Sequence, residues 1–561
     1  MTQHGTLATQ EKRLNHESHE SPRIKTKNGP TLVPSPRLCG ERVRVRGLLG
    51  RMCHLNLRAG LIVAVVGCSS ALRGDEPKPF QIQIVDELTG RGVPLVELRT
   101  VHEQLYVTDS AGRVAIREPE LLGQTAYFHV RSHGYEFPKD GFGFRGRALK
   151  VEPGGAETIK IKRLNIAERL YRVTGAGIYA DSVALGESAP IKQPLLNAQV
   201  TGSDSVVTAV YRNRLHWFWG DTNRLRYPLG NYQVTGATSR LPGDGGLDPA
   251  VGVDFDYFAG DDGFAKPMAK MPGDGPTWMF GIVVVKGSDG RERMFTGYEK
   301  IRGMLEVYER GIAEFDDERR EFVARRQFDK DIPLHLHGHP FSHRVDGVDY
   351  FYFGDPFPVM RVRATADDVL APSHYEGFTC LVPGGRDQKP QVERDASGKP
   401  VMGWKRDTAP LTPELQTALL RSGQLKPDEV LWNLRDADTD KPVTAHRGSV
   451  AWNDYRKRWT MIFTQHFGSS LLGEVWYTEA DQPEGPWGKA KKVVTHDKYS
   501  FYNPAQHPYF AQDGGRVIYF EGTYTHTFSG NPTPTPRYDY NQMMYRLDLS
   551  DPRLEAVRET R

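Results

Sequence analysis

From residue 195 onward, apolar and polar positions repeat one unit: an apolar strand, a tight polar turn, a second strand rich in aromatics, then Gly beside an acidic or polar residue. Five copies are legible. The first is Val206–Val210, turn Arg212–Arg214, His216–Trp219, Gly220-Asp221; the second is Met279–Val285, turn Gly287–Gly290, Arg293–Thr296, Gly297-Tyr298-Glu299. The third is Pro340–Arg344, turn Asp346-Gly347, Tyr350–Phe353, Gly354-Asp355; the fourth is Ser449–Trp452, turn Asn453–Arg456, Trp459–Thr464, Gln465-His466. The fifth is His507–Phe510, turn Asp513–Gly515, Val517–Phe520, Glu521-Gly522. Each unit reads as half of a four-stranded blade whose innermost strand lines a central channel. The first strand runs away from the channel mouth and the second returns to it. The pattern therefore predicts an all-β chain in which residues 195–550 form a five-bladed β-propeller, with Gly175–Leu185 closing the ring and Gln542–Leu549 as the last strand.

Ahead of this lies a smaller unit. Phe80, Ile82 and Ile84 alternate along a strand, a Gly-rich turn follows at 89–92, and Val93–Leu98 continues with Pro94 marking an edge position. Residues 80–165 read as a small β-sandwich and 166–194 as a connector. The propeller is interrupted at about 383–441 by a polar insertion with one helix: Thr412 is its N-cap, Pro413 its first residue, and Leu415, Leu419 and Leu420 share a face. That insertion lies either over the pocket or along an edge. Residues 551–561 form a tail.

Residues 1–79 read as a leader. A polar, basic stretch precedes Met52, which opens a segment with Arg58, the apolar run 59–67 and Cys68. This resembles a bacterial signal peptide, and Val65-Val66-Gly67-Cys68 resembles a lipobox in which Cys68 is acylated. Met52 then serves as the start, and the protein is exported as a periplasmic or cell-surface lipoprotein or a secreted protein. Its only membrane contact is the lipid at Cys68, because the apolar run is too short to span a bilayer. The formal net charge of +3 is close to balanced and excludes a nucleic-acid footprint. Of the four cysteines only Cys380 lies beyond the leader, which excludes a disulfide framework there and makes Cys380 a core residue.

The strings HWFWGDTN, DYFYFGDPF and GEVWYTEADQPEGPWGKAKKV resemble the blades of five-bladed propeller glycoside hydrolases, a group with arabinanases, xylosidases and fructan-processing enzymes. The aromatic strand ending in Gly-Asp-Thr is similar to relatives that include endo-D-arabinanases. The stretch IQIVDELTGRGVPLVEL resembles transthyretin-like or carboxypeptidase-regulatory-like modules, which act as spacers. The resemblance implies cleavage of glycosidic bonds in a polysaccharide or oligosaccharide. It does not carry residue roles across, because the better-known families place the base on an inner strand of the first blade and the acid on a later one. The acidic positions here follow the second strands.

Glycoside hydrolysis needs one protonated carboxyl and one ionised carboxylate across the scissile bond. Asp221, Glu299, Asp355 and Glu521 are the candidate catalytic residues, with Asp221 as base, Glu521 or Glu299 as acid and Asp355 as the orienting group. Trp278, His337, His339, His446, Arg447, His466, Asn503, Gln506, His507 and Tyr524 are candidate sugar contacts, since rings stack on sugar faces and amides or imidazoles bond hydroxyls. His335, His337 and His339 alternate as on a strand, where backbones four residues apart stand roughly 13 Å from each other, so at most two could share a metal ion. No cofactor is required, and the channel leaves room for a structural cation. A carbohydrate-binding propeller without catalysis and an envelope scaffold are the competing readings.

Overall fold

The computed structural model describes residues 77–558 apart from Ser288 and Met304. The leader, with Met52 and Cys68, lies outside the described residues. Among those residues no helix is long and apolar enough to cross a membrane.

The alternating pattern after residue 195 folds into five blades. Blade 1 contains Val206–Tyr211, Arg214–Trp219, Thr235–Ser239 and Asp256–Tyr257, paired in that order. Blade 2 contains Thr277–Lys286, Glu292–Arg302, Glu306–Asp316 and Glu321–Phe328. Blade 3 begins at Phe341–Val345, blade 4 at Ala445–Asn453 and blade 5 at Ser500–Gln506. Apolar side chains seal each interface: Val283 and Phe295 of blade 2 share a core with Phe351 and Phe353 of blade 3. Trp217 and Trp219 of blade 1 pack with Tyr519 and Met544 of blade 5.

Three sequence expectations are corrected. The closing strand is Glu168–Arg172, inside the connector, and it pairs antiparallel with Asn541–Asp548 of blade 5. Residues 168–172 are buried at every position, which a strand sandwiched on both faces requires. Blade 5 opens on Ser500–Gln506, seven residues earlier than its apolar pattern suggests, and 508–510 form a short 3-10 turn. Its second strand runs Val517–Thr525, so Glu521 lies inside a strand and not at its end.

The insertion decorates edges. Gly403–Arg406 adds a fifth strand to blade 3, and Trp432–Asp436 pairs parallel with the outer strand of blade 4. Its helix, Pro413–Arg421, is capped as expected: Thr412 Oγ1 accepts from Leu415 N at 3.2 Å, and Leu415 and Leu419 are buried between these blades. Cys380 is buried in the same core. In the tail, Pro552–Val557 forms a 3-10 helix with Leu554 and Val557 buried.

The N-terminal unit is a sandwich of two four-stranded sheets around Ile82, Ile84, Leu98, Phe128 and Ile159. Val96–Thr100 is a central strand, with Pro94 just ahead of it, so the edge expectation fails. Nor is this unit a spacer, since residues from Pro77 onward pack as one body. The Arg169 guanidinium, 1% exposed, donates to the carbonyls of Pro94 (3.0 Å), His133 (3.2 Å) and Leu95 (3.3 Å). Tyr538 Oη donates to the Thr108 carbonyl at 2.6 Å, and His133 Nε2 lies 3.0 Å from Tyr524 Oη.

Candidate functional site

The inner strands enclose a central cavity of about 270 Å³, to which Thr208, Val283, His339, Ser449 and Tyr509 each bring one blade. The residues that begin these strands crown one end of it.

In blade 1 this end is extended by a three-stranded sheet, Val200–Ser203, Thr222–Arg224 and Tyr227–Asn231. Ser203 faces Thr222 in that sheet, and Val206 faces Trp219 in the blade, so one register runs through both. Asp204 and Asp221 fill the junction as cross-strand neighbours, with Asp204 N donating to Asp221 O at 2.9 Å. Side chains so placed leave one face of a ladder together, their Cβ atoms about 5 Å apart. Asp204 was not legible as a site residue. It precedes the first strand in a run of small residues, and only the register reveals its partner.

The two carboxyls live differently. Asp204 receives the hydroxyls of Tyr540, at 3.2 Å, of Ser205 and of Tyr502. No hydrogen bond ties the Asp221 carboxyl among the described residues, although the residue is only 8% exposed. Burial first, and the neighbouring Asp204 charge second, push Asp221 up to about 7. The shell around Asp204 is strained. Ser205 (φ 23°), Asn503 (φ 51°) and Tyr540 (φ 60°) all hold left-handed backbone, at a cost of order 1–3 kcal/mol each. Asn503 donates from its amide to Ser205 Oγ, tying blade 5 to this corner.

Across the mouth, blades 2, 3 and 4 assemble a second cluster. Arg310 Nη2 lies 2.9 Å from Glu299 Oε1, and Arg310 Nη1 lies 3.2 Å from His335 Nδ1. Arg447 Nε stands 3.4 Å from Asp355 Oδ2, while Gly448 N donates to Asp355 Oδ1 at 3.0 Å. Burial raises Asp355 to about 6 against the opposing pull of Arg447 and Gly448, and it raises Glu299 against Arg310 and Arg447. Burial likewise lowers His335 to about 3 and His339 and His446 to about 4 and about 3, so these imidazoles are neutral at pH 7. His337, packed on Phe280 with ring centres 4.7 Å apart, is also lowered well below its ordinary value by burial.

The expected strand through His335, His337 and His339 is absent. The segment is irregular, and Gly338 (φ 62°) turns it against Gly354, where a Cβ would meet the Gly354 carbonyl oxygen at 1.9 Å. Among the described residues no group of three His, Cys, Asp or Glu is arranged to hold a metal ion.

The structure thus brings Asp221, Glu299, Asp355, His337, His339, Arg447 and Asn503 to one end of the channel. Trp278 pairs in register with Glu299, half-buried, and His446 and His466 face each other with ring centres 5.2 Å apart. Gln506 sits lower, lining the channel. Three expected residues lie elsewhere. Glu521 is 0% exposed and pairs with His507 Nε2 at 3.2 Å in the layer between blades 5 and 1. Tyr524 is buried against His133 of the sandwich and stacks on Tyr499. The blade 5 counterpart of Asp221 is Thr523, whose hydroxyl accepts from Ser205 N at 3.0 Å.

No family model matches the sequence, and no curated protein matches it. Solved structures share its general trace. An exo-1,5-alpha-L-arabinanase from a bovine ruminal metagenomic library is 9% identical over 62% of this chain and 94% of that chain, with a TM-score of 0.32. A Penicillium chrysogenum alpha-L-arabinanase complexed with arabinobiose is 12% identical over 62% and 94%, with a TM-score of 0.31. An N-acetylgalactosamine deacetylase from F. plautii is 10% identical over 68% and 96%, with a TM-score of 0.32. Likeness at this level leaves the reading of function to the site itself.

Proposed function

We propose that this chain is an exported hydrolase of glycosidic bonds in a polysaccharide or oligosaccharide, with Asp221 as general acid and Asp204 as the ionised partner that activates water or attacks carbon. The observation that carries this reading is the unequal pair. Two carboxyls occupy one cross-strand position; one is wrapped in hydroxyl donors, and the other is buried at the channel mouth with no hydrogen bond to its carboxyl among the described residues. Hydroxyl donors favour the charged form, whereas burial beside that charge favours the protonated form. This reverses the role that the sequence assigns to Asp221. Glu299 and Asp355, each paired with an arginine, suit substrate positioning better than proton transfer. The export component rests on the Met52–Cys68 segment of the sequence alone.

The test is release of reducing ends from a panel of glycans. Asp221→Asn and Asp204→Asn are each expected to lower kcat by about 10²–10⁴ while leaving the melting temperature within a few degrees of wild type. A wild-type protein that binds a glycan and never cleaves it would make the propeller a lectin.

A further inference from the structure

The second cluster is built unevenly, and the unevenness concerns Arg447. Arg310 is committed at both terminal nitrogens: Nη2 reaches Glu299, and Nη1 reaches His335 Nδ1 and, at 3.5 Å, the Ile332 carbonyl. The Arg447 side chain is 37% exposed, and its one ionic contact among the described residues is made through Nε to Asp355 at 3.4 Å. No hydrogen bond holds its side chain among the described residues. The outer edge of the guanidinium, a planar fork matched to two oxygens of one anion, is therefore unused at the mouth. Asp355 does not use it either, since its second oxygen takes the Gly448 N–H.

The groups facing Arg447 are mostly imidazoles. Its charge bears on His337, His339 and His446, and His466 stands behind His446. Glu299 and Asp355 are the acidic groups that feel it, and Glu299 is already held by Arg310. The neutral imidazoles add hydrogen bonding without adding charge. On the rim, His466 stacks on the exposed Phe467 at 4.2 Å, a flat surface of the kind on which a sugar ring lies. The acid pair Asp204 and Asp221 belongs to blade 1, whereas Arg447 lies in the first strand of blade 4.

We propose that Arg447, flanked by His339 and His446, forms a subsite for an oxyanion substituent on the glycan, a uronate carboxylate or a sulfate ester. The nature of the ligand rests on the glycan-hydrolase reading above; the position of the subsite does not. The substituent occupies the rim of blades 3 and 4 while the scissile bond lies over the blade 1 pair. The substrate is accordingly an acidic glycan, and a neutral chain of the same length is a poorer ligand.

Binding, not turnover, tests this most directly. Full-length Asp221→Asn protein is titrated calorimetrically at low salt with tetragalacturonate, a sulfated galactan tetrasaccharide and neutral galactotetraose. One anionic ligand is expected to bind at least about tenfold tighter than the neutral one, as a charge-assisted bidentate contact provides. Which of the two does so identifies the source of the oxyanion. The preference should shrink with added salt, vanish on Arg447→Gln and survive in part on Arg447→Lys, which keeps charge without the fork. Equal affinity for all three ligands, or a preference that persists in Arg447→Gln, overturns the subsite. Thermal melts of both arginine variants show whether loss of binding reflects loss of fold, and His446→Gln gives a second route to the same weakening. A protein that cleaves neutral glycans without any anionic preference removes the subsite and keeps the hydrolase. Arginine-dependent anionic binding with no cleavage of any glycan does the reverse.

Discussion

Tyr540 shows how single residues divide labour in the blade 1 pair. Its hydroxyl reaches Asp204 Oδ2 at 3.2 Å from a left-handed backbone, a conformation that tyrosine adopts only when its surroundings impose it. Removing that donor leaves Asp204 less firmly held beside Asp221. Tyr540→Phe is expected to lower kcat about tenfold, in line with about 1.5 kcal/mol for a hydrogen bond to a charged group. The loss should appear across the pH profile of kcat. The alkaline limb belongs to Asp221 and should stay near pH 7, where its burial places it. A kcat unchanged across the profile would remove Tyr540 from the site. Asp221 was legible in the sequence because a Gly-Asp-Thr tip follows an aromatic strand. Asp204 was not, since cross-strand partnership depends on a register that only the folded sheet provides. Glu521 was misplaced for a related reason: the apolar His507–Phe510 mimics a first strand, and choosing it moves every later residue along the blade.

Among elements, the contact between blades 2 and 3 positions the arginine and histidine cluster. Blade 2 carries a bulge at Gly281, whose N–H donates to the Gly338 carbonyl at 3.1 Å, and the 335–338 segment lies flush on its second strand. Gly297 makes that approach fit, because a Cβ there would meet the Leu336 carbonyl oxygen at 2.5 Å. The obstacle is backbone, which cannot swing aside. Gly297→Ala is expected to destabilise the protein by about 1–3 kcal/mol as an overpacked contact. It should also push His335 and His337 away from Glu299 and Asp355, weakening glycan affinity more than a distant substitution of equal thermal cost. Urea titration and a binding isotherm on one preparation check both parts. The repeat of strand, turn and strand made the blades readable, and Thr412 with Pro413 made the helix readable. The irregular His335–His339 segment was not, because alternating side chains suggest a strand whether or not the backbone finds a ladder to join.

For the whole molecule, the ring is closed by a strand that precedes every blade in the chain. Glu168–Arg172 lies at the outer edge of blade 5, yet it is continuous with the sandwich and is held to it through Arg169. The sequence hid this, since a stretch in which Glu168, Arg169 and Arg172 are charged looks like part of a solvated linker. The arrangement has a consequence in time. During synthesis Glu168–Arg172 leaves the ribosome first, and its partner Asn541–Asp548 follows only after four complete blades. Through that interval a strand that must end up buried has an open edge, a hazard for pairing with other chains. The Arg169 contacts to Pro94, Leu95 and His133 fasten it to a domain that is already complete, so the sandwich guards the strand until blade 5 arrives. Arg169→Met is expected to lower the yield of soluble protein on refolding from urea, with aggregates that grow with concentration. A variant that refolds as fully as wild type at every concentration would reduce the sandwich to a passive neighbour.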